Sequence, residues 1–186
     1  MYREALKTVT PREAGRGDRP DEVTVFIETP TGSRDKFDLD HESGLLRWSL
    51  QLPLGLSFPF AFGFVPNTLA ADGDPLDIIL LVDGVIPPGT LVGSRLIGVL
   101  PVEQDDSGDG AADTRNDRIL AIPTLAQTYA DTTDVSQLRD GMVEEIGRFF
   151  GRYNQMIGRD FTFGDALGAD EAYERLDAAV DRAGSE

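Results

Sequence analysis

The apolar residues of this chain change their spacing once, and the change falls just after Pro123. Before that point they come in short runs rich in β-branched and aromatic side chains, each closed by turn formers. Val23 to Thr29 is followed by Pro30-Thr31-Gly32-Ser33, which reads as a strand and a turn. Lys36 to Asp40 alternates polar and apolar residues, then Glu42-Ser43-Gly44 turns the chain into Leu45-Leu46-Arg47-Trp48, a hairpin pattern. Ile78 to Val82, Leu91 to Leu100 and Ile119 to Ile122 are further strand-like runs. The apolar stretch Leu50 to Val65 carries Pro53, Gly55, Pro59 and Gly63, so it cannot be one helix and reads as irregular core chain. Residues 103 to 117, almost all small and polar, read as an exposed loop. After Pro123, Leu138, Met142, Ile146, Phe149, Phe150 and Tyr153 recur on one helical face, and a second helix fits Asp170 to Ala183. Strands first and helices last predict an α+β protein, a compact β-barrel with helices packed at its side.

Composition excludes several functions. The chain has 186 residues, the length of one domain, and 33 acidic against 17 basic residues give a net charge of -16. That charge repels nucleic acid and anionic membranes, and the most basic stretch, Arg12 to Arg19, is diluted by Glu13 and Asp18 and reads as a mobile lead. The absence of cysteine removes disulfides, thiolate metal sites and thiol nucleophiles. The single histidine, His41, lies in a polar turn, and no nucleophile elbow accompanies it, which argues against a Ser-His-Asp hydrolase. No apolar segment is long enough to span a bilayer and no secretory signal is evident, so the expected location is cytoplasmic.

The most informative stretch is Ala71-Asp72-Gly73-Asp74-Pro75-Leu76-Asp77, which sets three carboxylates directly before a strand of nearly pure hydrocarbon. Pro75 disfavours helical geometry at Asp74, so the run is expected to be extended, with Asp72 and Asp74 converging on one side. Clustered carboxylates repel unless protonated, separated or bridged by a cation, and hard divalent cations accept several oxygen ligands. The plain alternative is an Asx-type turn, since Asp, Gly and Pro are ordinary turn formers. An EF-hand loop starting at Asp72 fails, because Leu76 and Asp77 occupy its ligand and glycine positions and Asp83 its closing glutamate.

Together with Gly63-Phe64-Val65-Pro66-Asn67-Thr68-Leu69, the run DGDPLD closely resembles the signature of the soluble, metal-dependent inorganic pyrophosphatases of the barrel-shaped class. The resemblance extends over roughly residues 23 to 183, through Phe26-Ile27-Glu28-Thr29-Pro30, Gly32 to Asp38, Pro87-Pro88-Gly89, Ile97 to Leu100, Ala121-Ile122-Pro123 and Phe149-Phe150 to Tyr153. It implies an OB-like five-stranded β-barrel with C-terminal helices in residues 23–186, with residues 1–22 as an N-terminal extension. It implies magnesium or another divalent cation as cofactor, pyrophosphate as substrate, and a homo-oligomer, a hexamer in bacterial-type members. Carried onto this sequence, it makes Asp72 and Asp77 metal ligands, Asp74 the carboxylate that orients or deprotonates the attacking water, and Glu28 an outer metal ligand. Lys36, Arg118 and Tyr153 fall at substrate-binding positions.

The departures from the family pattern fall at the same place. Leu50 stands where an arginine clamp is expected, Phe62 where a tyrosine is, and Asn154 where a lysine follows Tyr153. Arg118 replaces a lysine and adds a fork for phosphate oxygens, while Arg47, Arg152 and Arg159 are candidate cations to compensate for the others. Two loop metal ligands align with Gln104 and Asn116, each beside an aspartate, Asp105 and Asp117, that a one-residue shift would bring into place. Two rivals to pyrophosphate hydrolysis follow: action on a less charged phosphoanhydride or phosphate ester, and a pseudoenzyme that binds metal or a partner without turnover.

Overall fold

The computed structural model describes residues 2–13, 22–40, 42–105, 114–156, 158 and 160–185; His41, Arg159, the rest of the basic lead and the centre of the polar loop lie outside them. In chain order the elements begin with α1 (Tyr2–Leu6), β1 (Arg12–Glu13), β2 (Glu22–Thr29), the hairpin of β3 (Asp35–Asp40) and β4 (Leu45–Gln51), β5 (Ala61–Val65) and β6 (Leu76–Leu80). They continue with β7 (Leu91–Leu100), β8 (Val102–Asp105), β9 (Thr114–Arg115), β10 (Arg118–Pro123), α2 (Met142–Met156), β11 (Asp160–Phe163) and α3 (Ala169–Ala183). Strands β2, β5, β6, β10 and β7 pair in that order, and β7 returns to β2, which closes a five-stranded barrel. The sheet is mixed, because β6 and β10 run parallel while the other barrel pairs are antiparallel.

Alternation along these strands sorts their side chains onto two faces. Ile78, Leu80, Ile119 and Ala121 join Val23, Val25, Ile27 and Val65 in an aliphatic cluster capped by Ala172, Leu176 and Ala179 of α3. Their neighbours Ile79, Leu81, Leu120 and Ile122 point the other way, into a cluster with Phe58, Phe62 and Met142, Ile146, Phe150 and Tyr153 of α2. A register shift between Leu120 and Ala121, opposite the Leu96–Gly98 stretch, resets the alternation, so Leu96 and Val99 share the aliphatic face.

Three local expectations are corrected. Within Leu50 to Val65, β4 runs on to Gln51 and Ala61–Val65 is a wholly buried strand. Gly63, read as a breaker, is what admits it: a Cβ there would stand 2.0 Å from the Phe26 carbonyl oxygen across the β2–β5 pair. The polar segment after Leu100 is not all loop, since β8 pairs with β11 and β9 through the backbone, which needs no apolar side chains. The helix expected from Leu138 starts at Met142. Gly141, at φ +78°, separates it from a 3-10 turn over Val135–Gln137 that Leu138 closes.

Residues 2–13 lie against the barrel. Leu6 is buried with Phe26, Leu39 and Phe64, and Asn67, held at φ +57°, donates from Nδ2 to the carbonyls of Leu6 (2.9 Å) and Val9 (2.7 Å). Arg12 pairs with Asp177 of α3 at 3.3 Å and lies over the Tyr173 ring.

Candidate active site

The aspartate run is a turn rather than an extended segment. The Asp74 N–H donates to Asp72 Oδ1 at 3.1 Å, Gly73 sits at φ +91°, and the Ala70 N–H donates to the Asp74 carbonyl at 2.7 Å. The Asx geometry of Asp-Gly has prevailed over the extended bias that Pro75 imposes. Buried Thr68 pins the turn's exit, donating to the Val65 carbonyl at 2.6 Å and accepting from the Leu76 N–H at 2.9 Å. The result leaves Asp74 exposed, Asp72 half-buried, and Asp77 half-buried as the second residue of β6, opposite Phe64 of β5.

Alternation puts Asp77 on the face of Ile79 and Leu81, and Arg118 on the face of Leu120 and Ile122, so both stand at the end of the aromatic cluster. The parallel register aligns Ile119 with Ile78, which makes Arg118 and Asp77 cross-strand neighbours. Their side chains form an ion pair, and Arg118 also donates to Asn116 Oδ1 and lies over the Phe62 ring, 5.6 Å from its centroid.

Glu28 reaches the same region from β2. It is buried, accepts the Leu39 N–H at 2.5 Å, and its carboxyl is pushed up to about 8. Desolvation is the main cause; the Leu39 bond and Lys36 oppose it, while Asp38 and Asp77 add to it. Asp77 is raised by burial and by Asp72 and Asp74, against the pull of Arg118 and Lys36. Asp72 is also raised, by burial first and then by Asp74, although the Asp74 N–H and Arg118 favour its charged form. Lys36 forms an ion pair with Asp38, two residues along β3 and so on the same face. Asp38, Phe62, Thr68 and Asn116 therefore belong to the site's surroundings; Phe62 and Asn116 stand out in the sequence as departures from the family pattern, strand alternation from Lys36 finds Asp38, and the role of Thr68 depends on its hydrogen bonds.

The remaining residues make other contacts. Asp117 accepts from the Val102 N–H and faces Arg175 of α3 at 3.3 Å. Asp105 ends β8, with its side chain outside the described residues. Tyr153 is buried, stacked on Phe149 and edge-on to Phe58. Asn154 is buried and donates to the Phe150 carbonyl at 2.9 Å. Leu50 packs on the aromatic cluster, Arg47 is held by Asp40 at 2.6 Å, and Arg152 is exposed.

Among the described residues no three carboxylates stand close enough to form a ready-made metal cage. The donor set nevertheless suits a hard divalent cation: it is all oxygen, and its carboxylates raise one another, with Arg118 and Lys36 the positive charges that oppose them. Magnesium keeps several waters and needs one or two protein carboxylates rather than a complete cage.

A closed five-stranded barrel with helices outside and a carboxylate-rich site at the end of one face defines a class that sequence and structure comparisons identify. The sequence matches the family described as "Inorganic pyrophosphatase" over residues 25–184. The inorganic pyrophosphatase of Saccharolobus solfataricus is 32% identical over 166 residues, spanning 88% of this chain and 92% of that protein. The soluble inorganic pyrophosphatase 2 of Chlamydomonas reinhardtii is 36% identical over 155 residues, 83% of this chain and 77% of the relative. The crystal structure of the inorganic pyrophosphatase from Thermus thermophilus superposes with a TM-score of 0.83 at 26% identity, covering 96% of this chain and 98% of that one. The chain belongs to the inorganic pyrophosphatase family, a metal-dependent class.

Proposed function

We propose that the chain hydrolyses inorganic pyrophosphate to two phosphates, with magnesium held by Asp72 and Asp77 and a further ion by Glu28. Asp105 and Asp117 are proposed as contributions from the loop, Asp117 being shared with Arg175. The observation that carries the reading is the exposed Asp74 beside the half-buried Asp72 and Asp77, at the end of the barrel where Glu28 adds a buried carboxyl. A divalent cation bound there would supply neutralisation of the polyanion and acidification of water. Asp74 orients the attacking water and accepts its proton as the water oxygen bonds to phosphorus and the bridging P–O bond breaks. Lys36 and Arg118 hold phosphate oxygens through charge-assisted bonds, and Tyr153 borders the substrate. Homo-oligomeric assembly, a hexamer by family resemblance, and a cytoplasmic location are part of this proposal, as is an N-terminal extension over residues 1–22; no helix among the described residues is long and apolar enough to cross a membrane.

The test is phosphate release from magnesium pyrophosphate by wild type and Asp74→Asn. Wild-type turnover with a ~10²- to 10⁴-fold loss in the variant supports the assignment; equal rates defeat it. A second reading, a less charged phosphate ester or anhydride, is favoured by Asn154, which is turned into its own helix, and by Arg47, which is held away by Asp40. Faster hydrolysis of such a compound than of pyrophosphate by the same enzyme would select it.

A further inference from the structure

Arg118 is the one residue at the site whose charge, burial and backbone position all point at a single carboxylate. It is 8% exposed, its place opposite Asp77 is set by the β6–β10 register rather than by the reach of a long side chain, and three different groups orient it. Asp77 takes the charge, Asn116 Oδ1 accepts a second bond, and the Phe62 ring lies beneath the guanidinium. The bonds to Asp77 and Asn116 both come from Nη1, while the Nε is buried and makes no hydrogen bond, so the guanidinium is committed at one nitrogen and unsatisfied at another. A buried donor left unpaired is unfavourable, and an acceptor brought to that nitrogen would relieve it.

We propose that Arg118 is a built-in counter-ion for Asp77 which a divalent cation displaces, so that it sets the metal affinity of the site and passes its guanidinium to phosphate once metal has bound. The physical basis is competition. A carboxylate oxygen already engaged by a guanidinium is a poorer ligand for a metal ion, and a cation arriving at Asp77 repels the positive charge beside it. Displacement carries the guanidinium toward phosphate oxygens, two of which its planar fork can bind at once. Metal then binds ahead of substrate, and the wild-type chain has a lower intrinsic metal affinity than its carboxylates alone would give. A lysine at this position would provide the charge without the bridge to Asn116 or the flat seat on Phe62, so its hold on Asp77 would be looser. The inference rests on the metal-binding reading above, and its test separates the two.

The measurement is magnesium binding by titration calorimetry to chelator-stripped wild type, Arg118→Gln and Arg118→Lys, with no substrate present. Removing the guanidinium is expected to tighten magnesium binding about tenfold, with the lysine variant in between. If Arg118→Gln is too unstable without metal, Arg118→Lys keeps a charge beside Asp77 and still must bind magnesium more tightly than wild type. The wild-type Arg118 Nε–H resonance is expected to shift on magnesium addition and again on adding inorganic phosphate. Equal or weaker magnesium affinity in both variants, with wild type still binding, overturns the role of Arg118 and leaves the metal site standing. Absence of magnesium binding in all three proteins overturns the metal-binding reading and this inference together.

Discussion

The two faces of the barrel strands are made from the same backbone and differ in what they exclude. The buried residues of the face under α3 are all aliphatic, with Ala172, Leu176 and Ala179 letting the helix lie close to Val23, Ile27, Ile78 and Leu80 and Tyr173 packed at the edge. The face under α2 is aromatic, with Phe58, Phe62, Phe149, Phe150 and Tyr153 in ring contact, and at its end the alternation delivers Asp77 and Arg118 instead of another apolar pair. Aliphatic packing contributes burial alone, whereas rings also supply flat seats for cations and a low dielectric beside the carboxylates. One face holds the fold together and the other shapes the electrostatics of the site.

The largest effect is expected on the aliphatic face. Leu80 is completely buried, and Leu80→Ala should lower the unfolding free energy by ~2–5 kcal/mol through lost burial and the cavity left behind. Urea denaturation measures it, and magnesium affinity should stay at the wild-type value. A large change in that affinity would erase the division between the faces.

Glu28 offers the next effect, and it is visible only as a function of pH. Its folded carboxyl titrates near 8 against 4.5 for the ordinary group, so between these values the folded protein holds a proton that the unfolded chain has released. The group's contribution to stability is therefore full below about 4.5 and falls as pH rises to about 8. Glu28→Gln keeps an acceptor for the Leu39 N–H and lacks the titration. Without metal, the variant should gain on wild type between pH 5 and 8, by on the order of 2 kcal/mol at the upper end. Parallel stability profiles for the two proteins would show that desolvation does not govern this carboxyl.

Phe62→Leu tests the aromatic face with a smaller loss. About 1–2 kcal/mol of stability should go, together with the ring beneath Arg118. Under the proposed function KM for magnesium pyrophosphate should rise roughly three- to tenfold, as expected for a lost cation–π seat. A stability loss with unchanged kinetics would make the ring packing and nothing more.

The fold was legible because strand runs, turn residues and helical spacing are local signals, and Val23 to Thr29, Leu91 to Leu100 and Asp170 to Ala183 carry them clearly. Gly63 misled because its reason lies across the sheet, at the Phe26 carbonyl. The strands β8 and β9 were hidden because backbone pairing leaves no mark in polar side chains. At the site, Asp72, Asp74 and Asp77 announced themselves by spacing, and the Asx turn they form stood only as the alternative to an extended run, since Pro75 and Asp72-Gly73 favour different geometries and only the Thr68 and Ala70 bonds decide between them. The pairing of Arg118 with Asp77 depends on parallel registry between strands far apart in sequence, which no local pattern encodes.

The smallest expected effect comes from a residue that ties the two faces together. Asp134 accepts from the Ser136 N–H at 2.9 Å and its hydroxyl at 2.6 Å, which caps the turn that seats Val135 in the aromatic cluster. Its other oxygen accepts the Ala169 N–H at 2.9 Å, at the start of α3, where the cap residue Gly168 has no side chain to offer. A Cβ at position 168 would stand 2.8 Å from that same oxygen, so a larger residue there would push the Asp134 carboxyl away from the Ala169 N–H. These bonds hold the Asp134 carboxyl below its ordinary 3.8, so its contribution is present above that value and is lost as acid protonates it. Asp134→Ala should cost ~1 kcal/mol near neutral pH, as loss of a cap does, and less as the pH falls below 3.8. Asp134→Asn, which can still accept on one oxygen, should keep most of the stability. If the alanine variant instead loosens only α3 in amide exchange, with the Val135 turn fully protected, the two faces are secured independently and the aspartate serves one helix alone.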